Sequence, residues 1–158
     1  GYPMTTTSLL QRPTPQLELL LWSQQLQKVR FNELAALRFV SNAMVSLRDA
    51  KTQEFSAIGR YLMTHEGIYA LCLGTLYLYG LLPRGQDGSR ALTIQLAFEQ
   101  LDMTVADLHH MLLENRHLEE VAGLPTANVP EERVRDLIAL GERALAQSRL
   151  MYPDVHYE

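Results

Sequence analysis

Apolar residues recur along most of the chain at spacings of three and four, the pattern typical of helices that bury one face. The densest run spans residues 54–82. A helix that is apolar on most sides packs inside a bundle, so this stretch is predicted to form a long central helix that ends before Pro83. The positions near a 3.6-residue period are Phe55, Ile58, Leu62, Tyr69, Leu73, Leu76 and Tyr77, and a second side is filled by Leu71, Cys72, Leu78 and Leu81.

Two glycines interrupt this run one heptad apart, Gly67 and Gly74, on one face of the predicted helix. Glycine inside a helix costs roughly 1 kcal/mol relative to alanine. Two glycines in register therefore indicate that a neighbouring helix approaches closely at this face.

The segments before the central helix are also predicted to be helical. Thr14 and Pro15 have the form of a helix start, and the apolar stripe continues through Leu26 to about Val29. Asn32 is a candidate cap for a helix over residues 33–51. The pattern leaves open whether these segments are one kinked element or two helices.

Three further helices are predicted after the central one. Residues 83–88 form a turn by composition, and Ser89 precedes a helix to about Leu101. Thr104 caps a helix over residues 105–121. A loop over residues 123–130 leads to Pro130, which opens the last helix, and Pro153 ends it.

No stretch alternates with a period of two for long enough to indicate a strand. The predicted fold is therefore all-α, a bundle of about five or six helices around the central one. Residues 1–13 are predicted to be a flexible arm, residues 14–152 a single domain and residues 153–158 a C-terminal tail.

Composition narrows the functional classes. The chain of 158 residues suffices for one domain with a real core. Its net charge of −4 argues against a broadly basic nucleic-acid surface. The single cysteine, Cys72, excludes a disulfide within the chain and fits a reducing, cytoplasmic location. Residues 67–82 are apolar but too short to span a membrane, and no secretory signal is evident.

Several polar residues invite a chemical interpretation. His110, Glu114 and His117 share one face of a predicted helix and could bind a metal ion. The Glu114-x-x-His117 spacing also occurs in di-iron bundles, but the chain has no second such pair. A solvated polar face is the favoured interpretation, and no metal or cofactor is predicted. His65 is interpreted as a hydrogen-bonded core histidine.

The arginines and tyrosines of the central region also allow more than one interpretation. Arg60, Arg84 and Arg90 could converge on a phosphate if the turn folds back on the bundle, since the guanidinium fork suits phosphate oxygens. Ordinary surface arginines are the simpler interpretation. The tyrosines are interpreted as core and interface residues. The chain has no phosphate loop, dinucleotide fingerprint, serine-nucleophile elbow or paired zinc cysteines.

Five short segments occur in a fixed order along the chain: Ser46-Leu-Arg-Asp-Ala50, Arg60-Tyr61, Tyr69-Ala70, Gly80-Leu-Leu-Pro-Arg84 followed by Gly88-Ser-Arg90, and Glu114-Asn-Arg-His117. Together with the order of the predicted helices, they resemble a HEPN-type domain over residues 26–150. The resemblance implies a helical bundle that pairs as a homodimer. Active relatives are metal-independent RNA endonucleases with an arginine, four to six residues and then a histidine. The arginine binds the scissile phosphate and the histidine acts in the acid–base steps.

The chain departs from that motif. Arg116 is present, but His117 follows it directly, and after four to six intervening residues come Val121, Ala122 and Gly123. None of these three can shuttle a proton. Arg149 and His156 match the spacing, but they lie at the C-terminus and enclose Pro153.

The resemblance therefore favours a non-cleaving binding module. Such a module would act with a partner such as a nucleotidyltransferase, or in an RNA-related defence or toxin–antitoxin setting. Two alternatives stay open. In one, the protein is a metal-independent endoribonuclease with Arg116 and His117 as catalytic residues, and Arg84, Arg90 and Arg116 bind the phosphates of RNA or a nucleotide. In the other, it is a helical scaffold or dimerisation protein without a ligand.

Overall fold

The computed structural model describes residues 15–85, 89–124 and 128–156, which contain six helices and two short strands. The order is α1 (Pro15–Trp22), β1 (Leu26–Lys28), α2 (Glu33–Ala50), α3 (Ala57–Leu78), β2 (Leu81–Pro83), α4 (Ser89–Gln100), α5 (Val105–Ala122), α6 (Glu131–Met151) and a 3-10 helix (Pro153–Val155). The fold is helical, as predicted. Within the described ranges, no helix combines the length and apolarity needed to cross a membrane.

The predicted arm at residues 1–13 and the predicted cap Thr14 lie outside the described residues. So do residues 86–88 of the predicted turn, residues 125–127 of the predicted loop and residues 157–158 of the predicted tail. Within the described part of that tail, Val155 is buried in the main core.

The two strands are absent from the sequence prediction. β1 and β2 pair antiparallel, with Leu26 opposite Pro83 and Lys28 opposite Leu81. Each strand has only three residues, which is too short for an alternating pattern to be recognised. Leu26 and Leu81 are buried in a small apolar cluster of their own, which is completed by Leu20, Leu76 and Leu96.

The first helix is shorter than predicted, because it ends at Trp22 and not near Val29. Gln24 has a φ of 63°, in the left-handed region, and the Gln25 N–H donates to the Leu20 carbonyl at 3.0 Å. This is the geometry that closes a helix C-terminus. The first two predicted segments are therefore two separate helices divided by β1.

Capping side chains set the starts of three longer helices. The Asn32 side chain accepts a hydrogen bond from the Ala35 N–H, and Thr104 Oγ1 accepts one from the Asp107 N–H at 3.1 Å. Both caps agree with the sequence prediction. Ser56 caps α3 in the same way, so α3 begins at Ala57 and Phe55 lies before it, partly exposed.

The 22 residues of α3 pack against α2, α4, α5 and α6. The face that carries Gly67 and Gly74 lies against α2. A Cβ added at Gly74 would lie 2.8 Å from Phe39 Cβ, and one at Gly67 would lie 3.1 Å from Leu47 Cγ. The close approach predicted from the two glycines is therefore present. Cys72 is buried in α3, and burial raises the pKa of its thiol to about 12.

Candidate functional site

Four polar side chains from three helices are hydrogen-bonded to one another beside α3. The Tyr61 hydroxyl lies 2.7 Å from Glu114 Oε2 and 2.8 Å from His117 Nδ1. Arg133 Nε donates to the other carboxylate oxygen of Glu114 at 2.8 Å. We call Tyr61, Glu114, His117 and Arg133 the Tyr61 network. It connects α3, α5 and α6.

The spacing on α5 brings two of these side chains together. Glu114 and His117 are three residues apart, so they lie on the same face of the helix, one turn apart. The sequence favours a solvated polar face here, but in the structure Glu114 is buried, with only 4% of its surface exposed. A buried carboxylate is costly unless it is paired and hydrogen-bonded. Here the Tyr61 hydroxyl and the Arg133 guanidinium each bond one of its oxygens.

The Tyr61 hydroxyl stays protonated in this setting. Burial raises the pKa of Tyr61 well above its ordinary value, and the hydrogen bond to Glu114 and the charge of Glu114 raise it further. The hydroxyl therefore donates to Glu114, and its oxygen accepts the hydrogen on His117 Nδ1. This assignment of the imidazole tautomer follows from the network. It leaves His117 Nε2 as the nitrogen that is free for other interactions.

His65 follows Tyr61 by one turn of α3 and is completely buried. The two rings meet edge to face, with 4.6 Å between their centroids. His65 lies in the core, as predicted, but neither ring nitrogen has a hydrogen-bond partner among the described residues. Burial lowers the pKa of His65, and together with the smaller effects of Arg90, His117 and Arg133 it brings the value to about 3. Its imidazole is therefore neutral at physiological pH.

Arg116, the predicted phosphate ligand, does not take part in the Tyr61 network. Its side chain is exposed, whereas its neighbour His117 is half-buried against Tyr61. Consecutive residues on a helix point about 100° apart. The structure therefore does not bring the two predicted catalytic side chains together within one protomer.

The other arginines considered for phosphate binding have separate environments. Arg84 is exposed just after β2. Arg90 stacks on Tyr69, with its guanidinium carbon 4.0 Å from the ring centroid. Arg60 is buried, and it donates to the Ala50 carbonyl at 2.8 Å and to Glu131 at 2.7 Å.

Arg60 belongs to α3, whereas Arg90 belongs to α4 and contacts α3 at a different height along its axis. Tyr69, on which Arg90 stacks, follows Arg60 by nine residues, which corresponds to about 13 Å along the helix axis. Arg90 also lies 3.6 Å from the Glu66 carboxylate. These placements show no common phosphate cradle for Arg60 and Arg90.

The C-terminal pair Arg149 and His156 lies close enough to interact. His156 Nε2 is 2.7 Å from the Ser148 hydroxyl. Burial lowers the pKa of His156 to about 4, and the charge of Arg149 contributes to this shift. Of the two pairs that the motif suggests, this one therefore has its arginine near enough for its charge to act on the histidine.

A metal centre is not evident in the part of the chain that the structure describes. No group of three or more His, Cys, Asp or Glu residues there has the geometry to hold a metal ion. Glu114 and His117, two of the three side chains considered for a metal, are engaged by Tyr61.

Sequence reasoning did not identify Tyr61 or Arg133 as partners of Glu114 and His117. The spacing on α5 was visible, but the two partners lie on other helices, 53 and 19 residues away from Glu114. Comparison of the chain with protein-family models, with curated proteins and with solved structures gave no match.

Proposed function

We propose that this chain is a HEPN-like helical interaction module that does not cleave RNA. In this proposal α3 is the family's long central apolar helix, and the protein forms a homodimer. It acts with a protein partner such as a nucleotidyltransferase, in an RNA-related defence or toxin–antitoxin setting in the cytoplasm. The helical order of the chain and the capped starts of α2 and α5 support the resemblance.

The environment of His117 carries the non-catalytic part of the proposal. Cleavage of RNA needs a cation at the scissile phosphate and a proton acceptor within hydrogen-bond reach of the same reacting group. His117 Nδ1 is already bonded to the Tyr61 hydroxyl, whereas Arg116 is exposed on a neighbouring face of α5. The geometry within one protomer therefore supports a structural role for His117.

One observation favours a second candidate, a metal-independent endoribonuclease assembled across a dimer. His117 Nε2 remains free of hydrogen bonds to the described residues, and Arg116 is accessible. Arg116 of one protomer and His117 of another would then meet at one phosphate, with Arg84 and Arg90 as further phosphate ligands.

Incubation of the purified protein with single-stranded RNA in the presence of a chelator distinguishes these functions. We expect no cleavage above the buffer control. If cleavage appears and falls at least about tenfold in both Arg116→Ala and His117→Ala, the endoribonuclease function replaces the proposed one. Cleavage that survives both substitutions would move the chemistry to Arg149 and His156, the next pair to replace.

A further inference from the structure

A groove of about 640 Å³ runs between α2 and α6. Its α2 wall comes from one face of the helix, and its other wall comes from α6 and the 3-10 helix. Val40, Leu145 and Val155 are buried, whereas Val45 is 40% exposed. Its apolar lining includes the aliphatic side chains Leu37, Val40, Met44, Val45, Leu145 and Val155.

Basic side chains stand along the edges of this groove. Arg48, Lys51 and Arg149 line it, and among the described lining residues only Glu142, which pairs with Lys51, is acidic. A smaller cavity of about 320 Å³ shares Lys51. The second cavity is lined by Arg60 and Arg135 together with Glu131. The Asp49 carboxylate also lies 3.6 Å from Arg48. With Asp49 included, the described residues at these edges carry five positive charges against three negative ones, so the edges are net positive although the whole chain has a net charge of −4.

We propose that this groove binds an amphipathic helix with acidic edges from a different polypeptide. The inference rests on the proposed function and specifies the kind of partner. Apolar residues of the partner helix would fill the aliphatic floor, as in other helix-in-groove complexes. Its carboxylates would face Arg48 and Lys51, an arrangement that favours acidic over basic partners.

The dimensions and the lining favour a helix over a nucleic acid. The stretch from Leu37 of α2 to Lys51, the residue after its last turn, lines the groove and is about 21 Å long, enough for about four turns of a partner helix. Single-stranded nucleic acids bind through aromatic stacking platforms combined with basic grooves. None of the described residues that line this groove is aromatic.

A designed peptide tests the proposal directly. The probe is a labelled helix of about four turns with leucines at i, i+3, i+4 and i+7 and glutamates beside them. A second peptide has lysines in place of the glutamates, and a third has the same composition in scrambled order. Fluorescence anisotropy with the full chain measures the dissociation constants. We expect saturable binding of the acidic peptide alone.

Two matched pairs of variants locate the binding surface. Val45→Glu places a charge on the groove wall, and Leu62→Glu does the same at an equally exposed position on α3, 39% against 40%. Arg48→Glu reverses a charge at the groove edge, and Arg38→Glu reverses one at an exposed position of α2 outside the lining. We expect Val45→Glu and Arg48→Glu to weaken binding at least about tenfold, and the two controls to retain it.

Five results would overturn the inference. The first is no saturable binding, and the second is equal binding of the lysine or scrambled peptide. The third is equal loss in the control variants. The fourth is a wild-type dimer that Val45→Glu converts to a monomer, because a second copy of the chain would then occupy the groove. The fifth is binding of labelled single-stranded RNA in the same titration that Arg48→Glu weakens and the other variants do not. The surface would then bind nucleic acid.

Thermal melts of all four variants test whether each is still folded, so that weaker peptide binding can be distinguished from unfolding. The cleavage assay separates failure of this inference from failure of the proposed function. RNA cleavage together with peptide binding would contradict the non-catalytic function and support helix binding in the groove. Absence of both RNA cleavage and peptide binding would contradict helix binding in the groove and leave the non-catalytic function in place.

Discussion

Tyr61 shows how a single hydroxyl can connect three helices. Its oxygen lies within 2.8 Å of side-chain atoms of both Glu114 and His117, and Glu114 is in turn bonded to Arg133. Buried polar groups of this kind stabilise a fold only when every member is satisfied. Removal of one partner leaves another group buried without its hydrogen bond, which costs more than the bond itself contributed.

We expect Tyr61→Phe to lower the free energy of unfolding by about 1–3 kcal/mol, because one of the two Glu114 carboxylate oxygens then loses its donor. Urea denaturation measures this change. Tyr77→Phe is the control, since the Tyr77 hydroxyl donates to the uncharged Arg30 carbonyl at 3.0 Å, and the loss of that bond should cost less. Equal costs for the two variants would show that Glu114 finds another donor.

His65 couples folding to pH. In the unfolded chain its pKa is near the ordinary 6.5, whereas in the folded protein it is about 3. Between these values the unfolded state binds more protons, so stability falls as pH falls. Each such histidine contributes a slope of at most about 1.4 kcal/mol per pH unit. His156, with a pKa of about 4, acts in the same direction over the upper part of this range.

We expect His65→Leu to reduce this pH dependence between about pH 6.5 and 3. The imidazole makes no hydrogen bond to the described residues, so an apolar side chain of similar size should fit at little cost at neutral pH. Urea denaturation at a series of pH values measures the slope. His109→Gln, at an exposed position, should leave the slope unchanged. A variant with the wild-type slope would mean that His65 is not the group that titrates.

At the scale of the element, short-range sequence signals predict most of the helices. They do not predict the end of α1 or the strand that connects α1 to α2. Asn32 and Thr104 cap as predicted because a cap depends on residues three positions apart. The end of α1 was missed because Gln24, not glycine or asparagine, takes the left-handed position. Leu26 continues the helical spacing, but it pairs in a strand with residues more than fifty positions later.

Only the α5 half of the Tyr61 network could be predicted from the sequence, because short-range spacing does not report contacts between helices. Glu114 and His117 are three residues apart, and that spacing alone places them on one face. Which side chains lie opposite them depends on the packing of α3 and α6 against α5, and local spacing along the chain does not reveal that packing. A buried carboxylate on a face that appears solvated is therefore visible only in the structure.

We expect Gly74→Ala to destabilise the protein by about 1–3 kcal/mol, and Gly74→Leu to cost at least as much. Alanine favours a helix over glycine by about 1 kcal/mol, so a simple propensity argument predicts the opposite sign. The added Cβ would lie 2.8 Å from Phe39 Cβ, which forces α2 and α3 apart.

Gly123→Ala is the matched control for this substitution. A Cβ at Gly123 would meet nothing closer than 3.9 Å, and its φ of −86° suits any residue. Thermal and urea denaturation should show little change for this control. Unchanged stability in Gly74→Ala would show that α2 can retreat from α3 without loss.

At the scale of the whole molecule, α1 carries two exposed apolar side chains side by side. Leu19 and Trp22 lie one turn apart on α1 and are 61% and 83% exposed. Large apolar side chains placed together on a surface often mark an interface. This patch comes from a different element than the groove between α2 and α6. A homodimer and the docking of a partner helix can therefore use separate surfaces.

We expect the chain to be a dimer at tens of micromolar in light scattering, and Trp22→Glu to be a monomer because a charge would then enter an apolar interface. Trp22 is the only tryptophan, so its fluorescence should shift to the red when dilution separates the protomers. Val105→Glu, at an exposed position of α5, and Val45→Glu should both remain dimeric. A monomer mass for the wild-type chain would rule out the dimer, and a dimer that survives Trp22→Glu would place the interface elsewhere.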